Sequence, residues 1–184
     1  APDGRNWWGD YQCSELVKAK YCAQISLLHT ALDVGSYFCE TYSNAYPMEL
    51  SLMRRAFPQY PVTPLQPSPG YYVTRNMGTL LDGLYPSAQT ARLLGGSGML
   101  ELHLLENPET GLLAAALWRK GRAQDACEFE TVTLVLPRGY HTAHGVNTMN
   151  CEAQRLILST GTAGEVLVHG LLIGDYPIMI FAQN

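Results

Sequence analysis

Charge is scarce in this sequence. Charged residues make up 15% of it, against a usual share of about 25% in globular chains. Lys18, Lys20 and Lys120 are the only lysines. Basic residues gather no further than the pair Arg54-Arg55 and the scattered Arg119, Lys120 and Arg122. With a formal charge of −4, the chain offers no basic face to a phosphate backbone, and nucleic acid is not an expected partner. No apolar run approaches the roughly 20 residues of a membrane-spanning helix, so no transmembrane segment is expected. No C-x-x-C occurs among the five cysteines, which removes zinc ribbons and thioredoxin-type motifs. "GGSG" at 95–98 precedes a strand pattern instead of a helix, and the phosphate-loop lysine motif is missing, so no phosphate cradle is expected. No cofactor motif is present, and no cofactor is expected. There is no N-x-Ser/Thr sequon and no internal repeat.

What is present is apolar. Hydrophobic residues make up 47% of the 184, enough to bury one sizeable core, and the reading is a single domain over 1–184. The chain begins Ala1-Pro2-Asp3, as a mature chain does after signal-peptide cleavage, so a secreted or periplasmic location is the expectation and a cytoplasmic one the alternative. One or two disulfides fit that compartment; buried cysteines acting as small hydrophobes are the alternative. Cys13 and Cys22 are nine residues apart, about 13 Å along one continuous helix, whereas a disulfide needs Cα atoms within roughly 7 Å. They can pair only if the helix breaks between them. The odd count leaves at least one thiol unpaired within the chain.

The hydrophobic period changes along the sequence. Val17, Tyr21, Ile25, Leu28 and Leu32 form one helical stripe, with Asp10 or Ser14 as N-cap and Gly35 as the stop. A second helix holds Tyr37 and Phe38, and a third starts at Pro47 and carries Met48, Leu52, Met53 and Ala56. Prolines then fall at 58, 61, 64 and 67, every third position, which in a polyproline II helix aligns them along one edge. Tyr60, Val62 and Leu65 sit between them, where a solvated linker would carry polar residues, so the segment reads as a packed strut. Beyond it the period is two. "MLELHLL" (99–105) places Leu100, Leu102 and Leu104 on one face with Glu101 and His103 on the other, and "LLAAALW" returns after a turn at 106–111. "CEFETVTLVL" (127–136), "AQRLILST" (153–160), "EVLVHGLLI" (165–173) and "PIMIFAQ" (177–183) follow as strands, with a brief helix at 87–94. The expected fold is α+β: a helical part over 10–57, a proline-rich strut over 58–70 and an antiparallel β part over 71–184. The helices pack on a bent β-meander of half-barrel or sandwich-like form.

Two places attract a chemical reading. "GYHTAHG" (139–145) sets His141 and His144 in a predicted loop, where two imidazoles could share a metal with a third ligand or do acid–base work. Cys151, expected at the start of the next strand, could approach either histidine as a nucleophile. The ordinary reading, loop histidines and a packed cysteine, carries more weight, because His-x-x-His off a helix is a weak signal. Glu128 and Glu130 fall on one strand face at a spacing some glycosidases use, but alternating charge usually marks a solvent face. His169 reads as a core or face residue, and Asp175 as a turn residue bonding its own backbone. Trp7, Trp8, Tyr11 and Tyr60 head a series of aromatics of the kind enriched at binding hot spots.

These observations favour a non-enzymatic protein-binding module outside the cytoplasm, such as an inhibitor, an immunity-type protein or an assembly subunit. Another protein is therefore the expected partner, and the sequence assigns no oligomeric state. A small hydrolase or metal-dependent enzyme using His141 and His144 is the second reading, and small-ligand carriage within the sheet the third.

Overall fold

The structure, a computed structural model, describes residues 14–35, 52–55 and 65–184. Trp7, Trp8, Tyr11, Tyr60, Cys13, Cys39, the expected helix at Tyr37 and Phe38, and the prolines at 58, 61 and 64 lie outside the described residues.

The fold is α+β, as the change of period implies, and all strand pairs are antiparallel. In chain order the elements are α1 (Glu15–Ala31), β1 (Met53–Arg55), β2 (Leu65–Pro67), α2 (Pro69–Leu80), β3 (Tyr85–Pro86), β4 (Arg92–Leu94), β5 (Leu100–Asn107), β6 (Leu112–Arg119), β7 (Glu130–Leu136), β8 (Thr142–Asn147), β9 (Ala153–Arg155), β10 (Leu158–Thr160), β11 (Val166–Ile173) and β12 (Ile178–Gln183). A six-stranded sheet runs β3-β5-β6-β12-β8-β9, and a four-stranded sheet runs β10-β11-β7-β4. β1 and β2 form a separate two-stranded ribbon.

The larger sheet is the middle layer of three. Leu113, Ala115 and Leu117 of β6 join Ile180 and Ala182 of β12 in a core shared with Val132, Leu134 and Leu136 of β7 and with Val166, Val168, Leu171 and Ile173 of β11. Ala114, Ala116 and Trp118 point the other way, with Leu105 and Met179, into a second core against α1 and α2. The run "LLAAALWR" is thus buried on both faces, which explains why it does not alternate. Its alanines have a counterpart in α1, whose buried side includes Ala19, Cys22, Ala23 and Ser26.

Five local expectations are corrected. The third helix does not extend over Met53, because Met53–Arg55 is a strand level with Leu65–Pro67. The β part contains a helix, α2, which starts where Pro69 occupies the first turn and buries Val73 and Met77, four residues apart. Residues 87–94 are not a helix; 87–91 are a loop and Arg92–Leu94 pairs with β7, so long-range pairing overrides local propensity. "AQRLILST" is two strands, β9 in the larger sheet and β10 in the smaller, with residues 156–157 crossing between layers. Finally, β11 and β12 follow each other in sequence yet belong to different sheets, so the strands do not form one meander.

The expected disulfides are absent among the described residues. Cys127 and Cys151 carry free thiols, and Cys22 is buried against the helices. The Cys127 sulfur instead accepts a hydrogen bond from the Asp175 N–H.

Candidate functional site

Lys20 is the most unexpected buried residue, 2% exposed on the inner face of α1. A buried ammonium requires a full set of acceptors. Its Nζ donates to the Gln124 carbonyl at 2.5 Å and to Asp175 Oδ1 at 2.7 Å, and lies 5.6 Å from the centre of the Tyr176 ring. Asp175 Oδ2 accepts from the Gln124 N–H at 2.7 Å, and Gln24 Nε2 donates to the Asp175 carbonyl at 2.8 Å. The Asp175 N–H in turn donates to Cys127 Sγ at 3.2 Å. Nearby, Tyr21 accepts from the Ala123 N–H, and the α1 cap residue Ser14 donates to Asp125. Helix α1 is therefore fastened to two connections, β6–β7 and β11–β12.

The electrostatics follow from this packing. Burial works against the charged form of Asp175, but the Lys20 ammonium and the Gln124 N–H outweigh it and hold the carboxyl below its ordinary value. Burial raises the Cys127 thiol, and the hydrogen bond from the Asp175 N–H only partly offsets that. Tyr176 is raised mainly by burial, against a hydrogen bond with Asn147. A thiol held up in this way is a poor nucleophile. The cluster binds layers together and does not present a reactive sulfur.

The residues singled out in the sequence are dispersed. His144 lies within β8, not in a loop, level with Arg155 and Phe181. His141 is exposed just before β8, where its N–H bonds the Gln183 carbonyl at 2.8 Å. Residues three apart on extended backbone point to opposite faces, so the two imidazoles do not converge. Cys151 does not begin a strand: it sits in the β8–β9 turn at φ 59°, exposed, with its N–H on the Asn147 carbonyl. That places it about three residues, or roughly 10 Å, along the strand direction from His144. Among the described residues no group of three or more His, Cys, Asp or Glu is placed to hold a metal ion. Glu128 and Glu130 share Arg119 at 3.5 and 3.4 Å, and Glu130 also accepts from the Ser97 N–H and hydroxyl, so both carboxylates are held in ionic contacts.

Two further groupings escaped sequence reading. On the outer face of the smaller sheet, His169 Nε2 lies 2.7 Å from Ser159 Oγ while its Nδ1 lies 3.3 Å from Thr133 Oγ1. Under the larger sheet's opposite edge, the His103 ring stacks on Trp118 with centroids 5.2 Å apart, its Nε2 3.5 Å from Glu101.

The outward side of α1 is the remaining feature with functional content. At 100° per residue, Leu28, Tyr21, Leu32 and Ile25 occupy one arc of α1, with Leu28 packed on the inner core, the Tyr21 hydroxyl on the β6–β7 connection, and Ile25 and Leu32 turned outward. These are four of the five residues of the helical stripe read from the sequence; the fifth, Val17, is buried. Tyr21 and Leu28 are half-buried, while Ile25 is 42% and Leu32 is 67% exposed. Val34, beyond the helix end, is exposed as well. Lys18 and His29 adjoin the arc on its Ile25 side. Helix α1 thus carries apolar residues on both sides: Val17, Ala19, Cys22, Ala23 and Leu27 inward, Ile25 and Leu32 outward.

Comparison with models of protein families and with curated proteins finds no match for this chain.

Proposed function

We infer that this chain is a protein-binding module and that the outward stripe of α1 is its contact face. The observation that carries this reading is the apolar arc itself. The inner side of α1 is already occupied by α2 and the larger sheet, so exposed apolar residues on its other side are surface left for a partner. The occupant is a protein surface that is itself apolar and poor in charge, since Tyr21, Ile25, Leu28 and Leu32 bring no charge to it. Lys18 and His29 at the margin would form the polar rim typical of such contacts. The fastening of α1 through Lys20, Gln24 and Ser14 supports the reading as well, because it holds the helix rigid for docking.

The test is substitution on the arc. Ile25→Glu with Leu32→Glu should leave urea stability within about 0.5 kcal/mol, as exposed substitutions do. The same pair should abolish recovery of the partner that the unmodified chain retains, identified by mass spectrometry. Equal recovery by both chains would reject this face.

A further inference from the structure

A second concave region lies on the other side of the larger sheet, between it and the smaller one. It is lined along β8 and β9 by Gly145, Asn147 and Gln154, along β12 by Ile178 and Ile180, and across the gap by Leu171, with a volume of about 660 Å³. That size falls within the range of small-ligand sites, roughly 300–1,000 Å³.

The backbone explains why the two sheets leave this space. Gly145 stands level with Ile180 on one side and Gln154 on the other, so the floor has no side chain at its centre. A Cβ built on Gly145 would meet Leu156 and Ile180 only at ordinary contact distances of 3.4 and 3.5 Å, so the absent side chain is not required by crowding. Opposite, β11 carries a bulge: Val168 pairs with Leu134 but Leu171 with Val132, so two residues face one. Gly170 takes the left-handed φ of 69° that this bulge needs. The extra residue resets the alternation, and Val166, Val168, Leu171 and Ile173 all still point into the core. Bulges of this kind recur beside binding sites, where they bend a strand away from its neighbour.

The lining determines what could enter. Leucine and isoleucine side chains form the walls, two amides supply hydrogen bonds, and Glu152 at the turn end is the one charged residue in contact with the space. Arg155, the nearest base on β9, pairs with His144 and so belongs to the opposite face of the sheet.

We propose that this cleft between the sheets is a binding site for a small cationic amphiphile, its apolar body between Ile178 and Leu172 at the open side of the cleft and its cationic head at Glu152. The site is separate from the α1 stripe and does not depend on it.

Three probes with the same octyl chain test the proposal below their micelle concentrations: octyltrimethylammonium, octyl glucoside and octyl sulfate. Titration followed by amide chemical shifts should move Gly145, Gln154, Gly170 and Leu171 saturably. The ammonium should bind about fivefold more tightly than the sulfate, the scale of one exposed ion pair, with the glucoside between. Glu152→Gln, a surface change in a turn, should bring the ammonium and sulfate affinities together. Shifts that stay linear or fall elsewhere in the chain would overturn the proposal. So would equal binding of ammonium and sulfate, or an unchanged ratio in Glu152→Gln.

Discussion

Lys20 and Asp175 illustrate how far a single position can be read. A lysine among Ala19, Ala23 and Leu27 on the inner side of a helix signals that a carboxylate must come from elsewhere. Nothing local says which one, because Asp175 lies 155 positions along the chain. Asp175 sits in a turn, as its neighbouring glycine implies, but it serves Lys20 and the Gln124 N–H instead of its own backbone. Removing one partner strands the other as a buried charge, so Lys20→Met should cost about 3–5 kcal/mol in urea unfolding. The double change Lys20→Met with Asp175→Leu should recover much of that loss, because it leaves no charge behind. Asp175 also sets a pH dependence. Its folded-state value is depressed, so its stabilisation is complete above the unfolded value of about 4 and is lost as pH falls through the lower folded value. Thermal unfolding followed from pH 6 down to pH 2 should show this slope in the unmodified chain and a flatter one in Asp175→Asn.

At the scale of elements, helix α1 was legible as a helix, including its Ser14 cap, while its orientation was not. Its large apolar stripe suggests the core side, yet the buried side is formed by Val17, Ala19, Cys22, Ala23 and Leu27. Helix α2 was concealed by Pro69 and Gly70, which continue the proline-rich segment by composition although Pro69 starts a helical turn. The strand pair β5–β6 and its turn were legible because they are local: Asn107 Oδ1 accepts from the Glu109 and Thr110 N–H groups and fixes the reversal. The bulge in β11 shows in sequence only as His169-Gly170 breaking an apolar alternation. The connection between β11 and β12 depends on a glycine of another kind. A Cβ on Gly174 would lie 2.5 Å from Cys127 Sγ and 2.9 Å from a Phe129 ring carbon. Gly174→Ala should therefore destabilise by about 1–3 kcal/mol, as overpacking does. Adding Cys127→Ala should relieve part of that cost, measured as a midpoint shift in denaturant.

For the whole molecule, composition and period were enough for an α+β class with antiparallel strands, because both depend on local pattern. The division into two sheets was not accessible, since pairings such as β12 with β6 and β11 with β7 join segments far apart in sequence. Alternation alone cannot tell which sheet a strand joins. The histidine pair and Cys151 gained their interest from closeness in sequence, and extended backbone separates them. The three-layer arrangement occupies both faces of the larger sheet and leaves the outer arc of α1 as an apolar helix face turned away from the core. The most direct measurement is photocrosslinking from that arc. A benzophenone amino acid at position 25 should give a crosslinked species of higher mass in the presence of the native partner pool, and the same group at Glu109, in the exposed β5–β6 turn, should give none. Crosslinking that is equal at the two positions, or absent at position 25, would contradict α1 as the contact face.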